Sequence, residues 1–148
     1  LRAWHRWVAQ DVRYVSISLG LGGYQPRTPQ EVLQSGVGDC KDKTTLFVAL
    51  LRHAGIGAEP VLLSTAGRPL ADLPSVLQFN HAIAAVPQNG GWQLTDLTAD
   101  LVPYGELPQS YQGAFALQVA GDGSARPITI STAAPGAHGT STRMQVVV

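Results

Sequence analysis

Apolar residues in the first third of the chain recur at helical spacing in two segments. Leu1, Trp4 and Val8 lie on one face of a helix that we predict over the first ten residues. A second apolar face follows Cys40 and predicts the main helix of the chain. Its members are Leu46, Phe47, Leu50, Leu51 and Ala54.

The ends of the main helix carry residues that favour helix termini. Asp39 can cap the N-terminus, and Arg52 and His53 place positive charge in the last turn, where the helix dipole favours it. Gly55 suits the position after the C-terminus, because glycine adopts a left-handed backbone without a steric cost. The helix should therefore begin next to Cys40.

A shorter helix is expected upstream, where residues 28–31 read Thr-Pro-Gln-Glu. Thr28 and Glu31 can form a capping box, and a proline suits the first position of a helix. Glycines at positions 36 and 38 then separate this helix from the main one.

Six runs of apolar and β-branched residues predict strands. The Asn-Gly pair at positions 89 and 90 is a strong signal for a hairpin between two of these strands, and Gly-Asp-Gly at 121–123 predicts another hairpin. Helices first and antiparallel strands afterwards indicate an α+β fold. The expected strands span residues 15–19, 60–64, 80–86, 92–96, 114–119 and 127–131, with a loop over 66–75.

Composition limits the class of partner. The chain has 148 residues, enough for one domain with a buried core, and its formal net charge is zero. Nucleic acids and anionic membranes require a concentrated basic face, so we do not expect either as a partner. The single cysteine excludes an internal disulfide and any site with several cysteine ligands. Function should therefore reside in a local site.

We predict a single domain over residues 1–132. Residues 133–141 are rich in Ala, Gly, Ser and Thr, so we interpret 133–148 as a linker and the start of a truncated following segment. No apolar run is long enough to span a bilayer, and no signal peptide is recognisable. We expect the chain to be a domain of a longer protein.

The lone thiol, Cys40, is the first candidate for chemistry. A free cysteine is commonly a small buried hydrophobe, but the charged residues 39 and 41–43 predict that this turn lies at the surface or lines a cleft. The free N–H groups of a helix N-terminus favour a thiolate and can bind an oxyanion. The position therefore suits a nucleophile.

A thiol nucleophile needs a base, and the base needs an orienting partner. Three of the four histidines have structural explanations: His5 lies on the first helix, His53 at a helix end and His138 in the linker. His81 begins an apolar strand, where a polar ring needs a partner, although a structural histidine is the ordinary alternative. His81 is our candidate base.

The predicted hairpin brings a carboxylate to His81. If the turn consists of residues 89 and 90, Ile83 lies opposite Asp96, and His81 and Asp96 become diagonal neighbours on one face. A slip of one residue would place them on opposite faces. A turn-forming role is the alternative for Asp96, and no such argument places the rival carboxylates Asp72 and Asp100 near His81.

These segments resemble those of a known family. Residues 38–43, Gly-Asp-Cys-Lys-Asp-Lys, and the helix that they open are similar to the nucleophile segment of bacterial transglutaminase-like domains. Residues 79–83 and 92–96 are similar to the histidine and aspartate strands of that family. The resemblance covers about residues 1–130 and is strongest to the subset found in multidomain exported proteins, where a β-rich domain precedes this one.

The resemblance implies a papain-like fold in which Cys40 is the nucleophile, His81 the base and Asp96 the orienting residue. It implies thiol-dependent acyl transfer on an amide or peptide bond, by hydrolysis or by transfer to an amine. The expected substrate is a peptide or protein, including cell-wall peptide, and no cofactor is expected. The resemblance also implies a periplasmic or other extracytoplasmic location.

Two alternatives stay open at this level. One is a non-catalytic module that binds a peptide or the cell wall in the same groove. The other is a metal site on Cys40 and its two partners, although zinc ligands usually come in closely spaced pairs. The second oxyanion donor also stays open between Tyr14, Tyr24 and Gln25.

Overall fold

The computed structural model describes residues 1–16, 20–70, 72–73 and 75–132, apart from the side chain of residue 21. Three helices pack with a five-stranded antiparallel sheet, and a small parallel pair joins the N-terminal segments. The α+β class is therefore confirmed. The elements are α1 Arg2–Asp11, β1 Arg13–Tyr14, α2 Pro29–Ser35, β2 Val37–Gly38, α3 Cys40–His53, β3 Glu59–Leu63, β4 His81–Gln88, β5 Gly91–Thr95, β6 Phe115–Val119 and β7 Ala125–Thr129.

All three predicted helices are confirmed. In α3, the Asp39 side chain accepts a hydrogen bond from the Asp42 N–H, and the Asp42 side chain accepts one from the Asp39 N–H. Thr28 and Glu31 form the same reciprocal capping box at the start of α2. Gly55 follows α3 with a φ of +78°, the left-handed conformation for which glycine was expected.

The strand predicted over residues 15–19 is wrong in its described part. The observed strand, β1, covers only Arg13–Tyr14 and pairs in parallel with β2, while residues 15 and 16 belong to no strand. Residues 17–19 lie outside the described residues. The reason is the length of the partner: β2 ends at Gly38 because Asp39 caps α3, so the ladder cannot continue.

The five-stranded sheet has the order β5-β4-β3-β6-β7, with every neighbouring pair antiparallel. Asn89 and Gly90 both have positive φ, as a type I′ turn requires, and Ala84 pairs with Thr95 in the predicted register. The second hairpin is also confirmed, and the observed strand ends differ from the predicted ones by one or two residues. Three further short 3-10 helices were not predicted.

The two faces of the sheet bury separate cores. One face packs against α3, whose Leu46, Phe47 and Leu51 are fully buried. The other face curls around a second core that contains residues from β3, β4 and β6. The curl brings the outer strands, β5 and β7, together. The Arg126 guanidinium of β7 lies 4.9 Å from the centre of the Trp92 ring of β5.

None of the described helices is long and apolar enough to cross a membrane. The predicted linker over 133–148 lies outside the described residues, so that boundary stays a prediction.

Candidate active site

Cys40 is the first residue of α3, as the sequence predicted. Its backbone N–H therefore has no partner within the helix. The residue is partly exposed, and it is a free thiol. These features leave both the sulfur and the N–H group available at one end of the helix.

The charged residues Asp39, Asp42 and Lys43 around Cys40 are buried, and Asp39 and Asp42 line a cleft, which is one of the two placements that the sequence predicts for this turn. Buried charges require partners, and each of the three has one. Lys43 Nζ, fully buried, donates to the Ala9 carbonyl at 2.9 Å, and Asp39 forms an ion pair with Lys41. The charges thus tie the first turn to its surroundings.

Arg27 holds the same turn from the other side. Its backbone N–H donates to Asp42 Oδ1 at 2.8 Å, and its Nε and Nη2 both donate to Oδ2 at 3.0 Å. A further hydrogen bond of 2.6 Å joins Nη2 to the Val37 carbonyl. A guanidinium that binds a carboxylate with two donors fixes direction as well as distance. The segment before α2 therefore helps to orient the helix that carries Cys40.

Thr44 aligns α3 with β4. It lies four residues after Cys40 and therefore on the same side of α3. Its hydroxyl donates to the Ala82 carbonyl at 3.1 Å, and Ala82 follows His81 in β4. This contact sets the helix against the strand at the level of the two candidate catalytic side chains.

His81 and Asp96 are in direct contact, as the hairpin register predicted. His81 Nε2 donates to Asp96 Oδ2 at 3.0 Å, and the Asp96 side chain is 0% exposed. Cys40 lies close enough to His81 to affect the pKa of the imidazole, and Nδ1 is the ring nitrogen that Asp96 leaves for the thiol. The structure therefore brings Cys40, His81 and Asp96 together in the order that the sequence suggested.

The charge state of His81 reflects these neighbours. Burial alone would lower the pKa of the imidazole, but the hydrogen bond to Asp96, the negative charge of that carboxylate and the nearby Cys40 side chain raise it to about 9. Burial would raise the pKa of Asp96, but His81 and Thr98 hold it below its ordinary value. At neutral pH the site therefore favours an imidazolium next to a carboxylate.

Three further residues bind Asp96, and the sequence analysis did not select them for this site. Thr98 donates to Oδ1 from its N–H at 2.7 Å and from its hydroxyl at 2.8 Å. Tyr111 donates to Oδ2 at 2.9 Å, and His5 Nε2 donates to the Asp96 carbonyl at 2.9 Å. The Asp-x-Thr spacing is a local signal that could have identified Thr98. No local pattern indicates Tyr111 or His5, because tertiary packing brings them to the site.

A cleft of about 250 Å³ lies next to the N-terminus of α3. It is lined by Val15, Gly22, Gln25, Arg27, Val37, Asp39 and Asp42.

Of the three side chains considered as second oxyanion donors, Tyr14 has the strongest tie to the thiol. Tyr14 is an exposed residue, but partial desolvation of its hydroxyl raises the pKa, and the electrostatic interaction with Cys40 raises it further. The register of the parallel pair also places Tyr14 near the thiol, because Tyr14 pairs with Gly38, two residues before Cys40. Gln25 lines the neighbouring cleft, and Tyr24 is largely exposed.

Comparison with known proteins identifies the family of this chain. The model of the transglutaminase-like superfamily matches residues 1–97, a span that includes Cys40, His81 and Asp96. The chain belongs to the transglutaminase-like superfamily. No curated protein matches this superfamily member at a significant level.

One solved structure is similar to this transglutaminase-like chain. It is a crystal structure of a protein from Parabacteroides distasonis described as a "putative protease", with a TM-score of 0.64 and 19% sequence identity. The alignment covers 88% of the present chain and 23% of the Parabacteroides chain. At this level of identity the similarity shows the fold, and the present chain spans less than a quarter of that protein.

Metal binding has no geometric support in the described part of this transglutaminase-like chain. No group of three or more His, Cys, Asp or Glu side chains there is arranged to hold a metal ion. Asp96 also directs its carboxylate to protein donors, which are His81, Thr98 and Tyr111.

Proposed function

We propose that the domain catalyses thiol-dependent acyl transfer on an amide or peptide bond. The observation that carries this proposal is the chain of contacts from Cys40 at a helix N-terminus, through His81, to the buried carboxylate of Asp96. Each of these groups has a defined task in nucleophilic catalysis by a thiol. Membership of the transglutaminase-like superfamily supports the same class of reaction.

The reaction would begin from a Cys40 thiolate paired with protonated His81. The sulfur attacks the carbonyl carbon of the substrate, and the electron pair of the C=O bond moves to the oxygen. When the tetrahedral intermediate collapses, the C–N bond breaks and His81 gives its proton to the leaving amine. The products of this half-reaction are a thioester on Cys40 and a free amine.

The second half-reaction returns the enzyme to its starting state. Neutral His81 takes a proton from water or from an acceptor amine, which attacks the thioester and releases the Cys40 thiolate. Water gives hydrolysis, and an amine gives transamidation. We favour hydrolysis, because a small domain without net charge in a bacterial setting suits cleavage of peptides more than cross-linking.

Asp96 acts on the imidazole rather than on the substrate. Its hydrogen bond to Nε2 fixes the ring so that Nδ1 faces the sulfur, and its charge stabilises the imidazolium. The backbone N–H of Cys40 is the first oxyanion donor, and we assign the Tyr14 hydroxyl as the second.

The cleft beside Cys40 would receive part of the substrate. Its lining combines apolar Val15 and Val37 with polar side chains that include Gln25 and Arg27, which suits a peptide segment. Peptides, proteins and cell-wall peptides are therefore the proposed substrates, and a periplasmic or other extracytoplasmic location is the proposed setting. A binding module without turnover is the second candidate, because the same cleft could hold a peptide without the participation of the thiol.

The pH dependence of thiol alkylation distinguishes the two candidates. We expect Cys40 to react with iodoacetamide well below pH ~8.5, where an ordinary free thiol is largely protonated. A His81→Ala variant should react more slowly at pH 6–7 by about tenfold or more, because the imidazolium no longer stabilises the thiolate. His53→Ala is the matched control, since His53 lies at the other end of α3.

Hydrolysis is then tested with a library of peptides and soluble cell-wall fragments, using mass spectrometry to detect cleavage. Cys40→Ala should abolish product formation and leave binding intact. The catalytic proposal would be contradicted if the alkylation rate followed the pH dependence of a free thiol and did not change in His81→Ala. The binding module would then be the candidate that is left.

A further inference from the structure

Tyr111 reaches the same carboxylate oxygen as the imidazole. Its hydroxyl donates to Asp96 Oδ2 at 2.9 Å, and that oxygen also accepts from His81 Nε2 at 3.0 Å. The side chain is buried, and the centre of its ring lies 5.4 Å from the centre of the His81 ring. A tyrosine that served only as packing in the second core would not need its hydroxyl at this point.

We propose that Tyr111 is a positioning residue for the Cys40–His81 pair. Its hydroxyl fixes the orientation of the Asp96 carboxylate and weakens the electrostatic stabilisation that this carboxylate gives the imidazolium. The proposal rests on the proposed function, in which His81 must both keep a proton and release it. Tyr111 acts through Asp96 and has no contact with the reacting atoms in this account.

The positioning follows from the number of donors. An ionised carboxylate offers about four acceptor positions. Thr98 supplies two donors to Oδ1, while Tyr111 and His81 each supply one to Oδ2. The carboxylate of Asp96 therefore cannot rotate without breaking hydrogen bonds on both oxygens. Without the tyrosine hydroxyl, His81 would be the only side chain in the described residues that holds Oδ2.

The backbone around Tyr111 fixes the position of the hydroxyl. Tyr111 closes a single 3-10 turn, in which its N–H donates to the Pro108 carbonyl at 3.0 Å. The Tyr111 carbonyl accepts from the Ala114 N–H at 3.0 Å, and the Ala114 carbonyl accepts from the Ile130 N–H at 2.9 Å. The turn is thus tied to the strands of the sheet, and so is the hydroxyl that it presents.

Electrostatics determines the direction of the effect. Burial raises the pKa of Tyr111, and the charge of Asp96 and the hydrogen bond to it raise it further, so the hydroxyl keeps its proton while His81 titrates. A neutral donor on Oδ2 draws negative charge away from the imidazolium. The titratable groups that face this carboxylate are His81 from β4, Cys40 and Lys43 from α3, His5 from α1 and Tyr14 from β1.

The consequence for the reaction concerns how readily His81 releases its proton. If Asp96 held the imidazolium too strongly, His81 would give up its proton to the leaving amine more slowly. Tyr111 weakens that hold while it keeps the carboxylate in place. Both effects belong to one hydroxyl group, so a single-atom change can test them together.

The test is Tyr111→Phe, read by NMR titration of the His81 ring nitrogens. The titration midpoint, about 9 in the native chain, should move upward in the variant. Tyr104→Phe is the matched control, because its hydroxyl is buried and makes no hydrogen bond within the described residues. That variant should leave the His81 midpoint unchanged.

Incorporation of 3-fluorotyrosine at position 111 gives a second test that keeps the ring and the hydroxyl. The fluorinated phenol is a stronger donor, so the His81 midpoint should move downward. A midpoint that stays fixed in both forms, or moves in the opposite direction, would overturn the proposal. The readout is independent of turnover: if the native chain cleaves no peptide and the midpoint still moves, the proposed function fails while the positioning role stands.

Discussion

At the scale of single residues, the site shows which parts of a catalytic arrangement local sequence can indicate. Cys40 was found from its place before an apolar helix, and His81 and Asp96 were brought together by a hairpin whose register follows from Asn89-Gly90. Tyr111 could not be predicted, because its hydroxyl reaches the site from a turn with no recognisable pattern. Contacts set by register were predictable, and contacts set by packing were not.

Asp96→Asn tests the orienting carboxylate. The substitution keeps the size of the side chain but removes the charge that helps to raise the pKa of His81. We expect kcat for the peptide substrate to fall by about 10²–10⁴-fold. The NMR midpoint of His81 should move below about 9 in the same variant.

The control for this change is Asp72→Asn, an aspartate in the loop between β3 and β4. It should leave both kcat and the His81 midpoint as they are in the native chain. Full activity in Asp96→Asn would exclude the proposed orienting role.

At the scale of elements, the nucleophile helix is held more firmly than the charges in its sequence suggested. Charged residues 39 and 41–43 predict a turn at the surface or along a cleft, but not that Asp42 and Lys43 are buried and attach the turn to other elements. Sequence could not reveal this, because their partners, Arg27 and the Ala9 carbonyl, come from other elements. Charged side chains are rarely buried unless they are paired, and these two are buried because each has a partner.

Gly38→Ala tests how closely the chain packs against the start of α3. A Cβ atom at Gly38 would lie 2.9 Å from Asp42 Cβ, a distance that forces the helix or the strand to move. We expect a loss of about 1–3 kcal/mol in the free energy of unfolding, measured by urea denaturation. The alkylation rate of Cys40 should fall as well, because the same shift displaces the thiol.

Gly57→Ala is the matched control, since nothing lies within 4 Å of the added Cβ atom and no positive φ is recorded there. Its stability should equal or slightly exceed that of the native chain. If both variants behave alike, close packing at Gly38 is not what holds the first turn.

At the scale of the whole molecule, the helices and the sheet meet at the site rather than flanking it. The fold class, all three helices and the five strands of the large sheet could be predicted, because periodicity and turn residues are local signals. The curl of the sheet could not, since it depends on contacts such as Arg126 over Trp92 between its outer strands. Long-range geometry of this kind has no counterpart in a short window of sequence.

Stability should depend on pH through the His81–Asp96 pair. The folded pKa of His81, about 9, lies above the ordinary value of 6.5, so its contribution is full below pH 6.5 and is lost as the pH rises through about 9. The pKa of Asp96 is lowered, so its contribution is present above its ordinary value of 3.8 and is lost as the pH falls. The pair therefore stabilises the fold most between the two ordinary pKa values, from about pH 3.8 to about pH 6.5.

The measurement is the difference in unfolding free energy between the native chain and His81→Gln across this range. That difference should decrease by about 3 kcal/mol between pH 6 and pH 10, since each pKa unit corresponds to about 1.4 kcal/mol. In a Cys40→Ala background the decrease should be smaller, because Cys40 contributes to the raised pKa. A difference that does not vary with pH would show that folding does not raise the pKa of His81.

The interior position of β4 in the sheet has a consequence for motion. This strand lies between β3 and β5, and its residues Ala82 to Val86 are buried beneath α3 on one side and against the second core on the other. Amide protons in such a strand exchange with solvent only when the whole domain opens. We therefore expect His81, at the first position of β4, to be attached to one of the most slowly exchanging segments among the described residues.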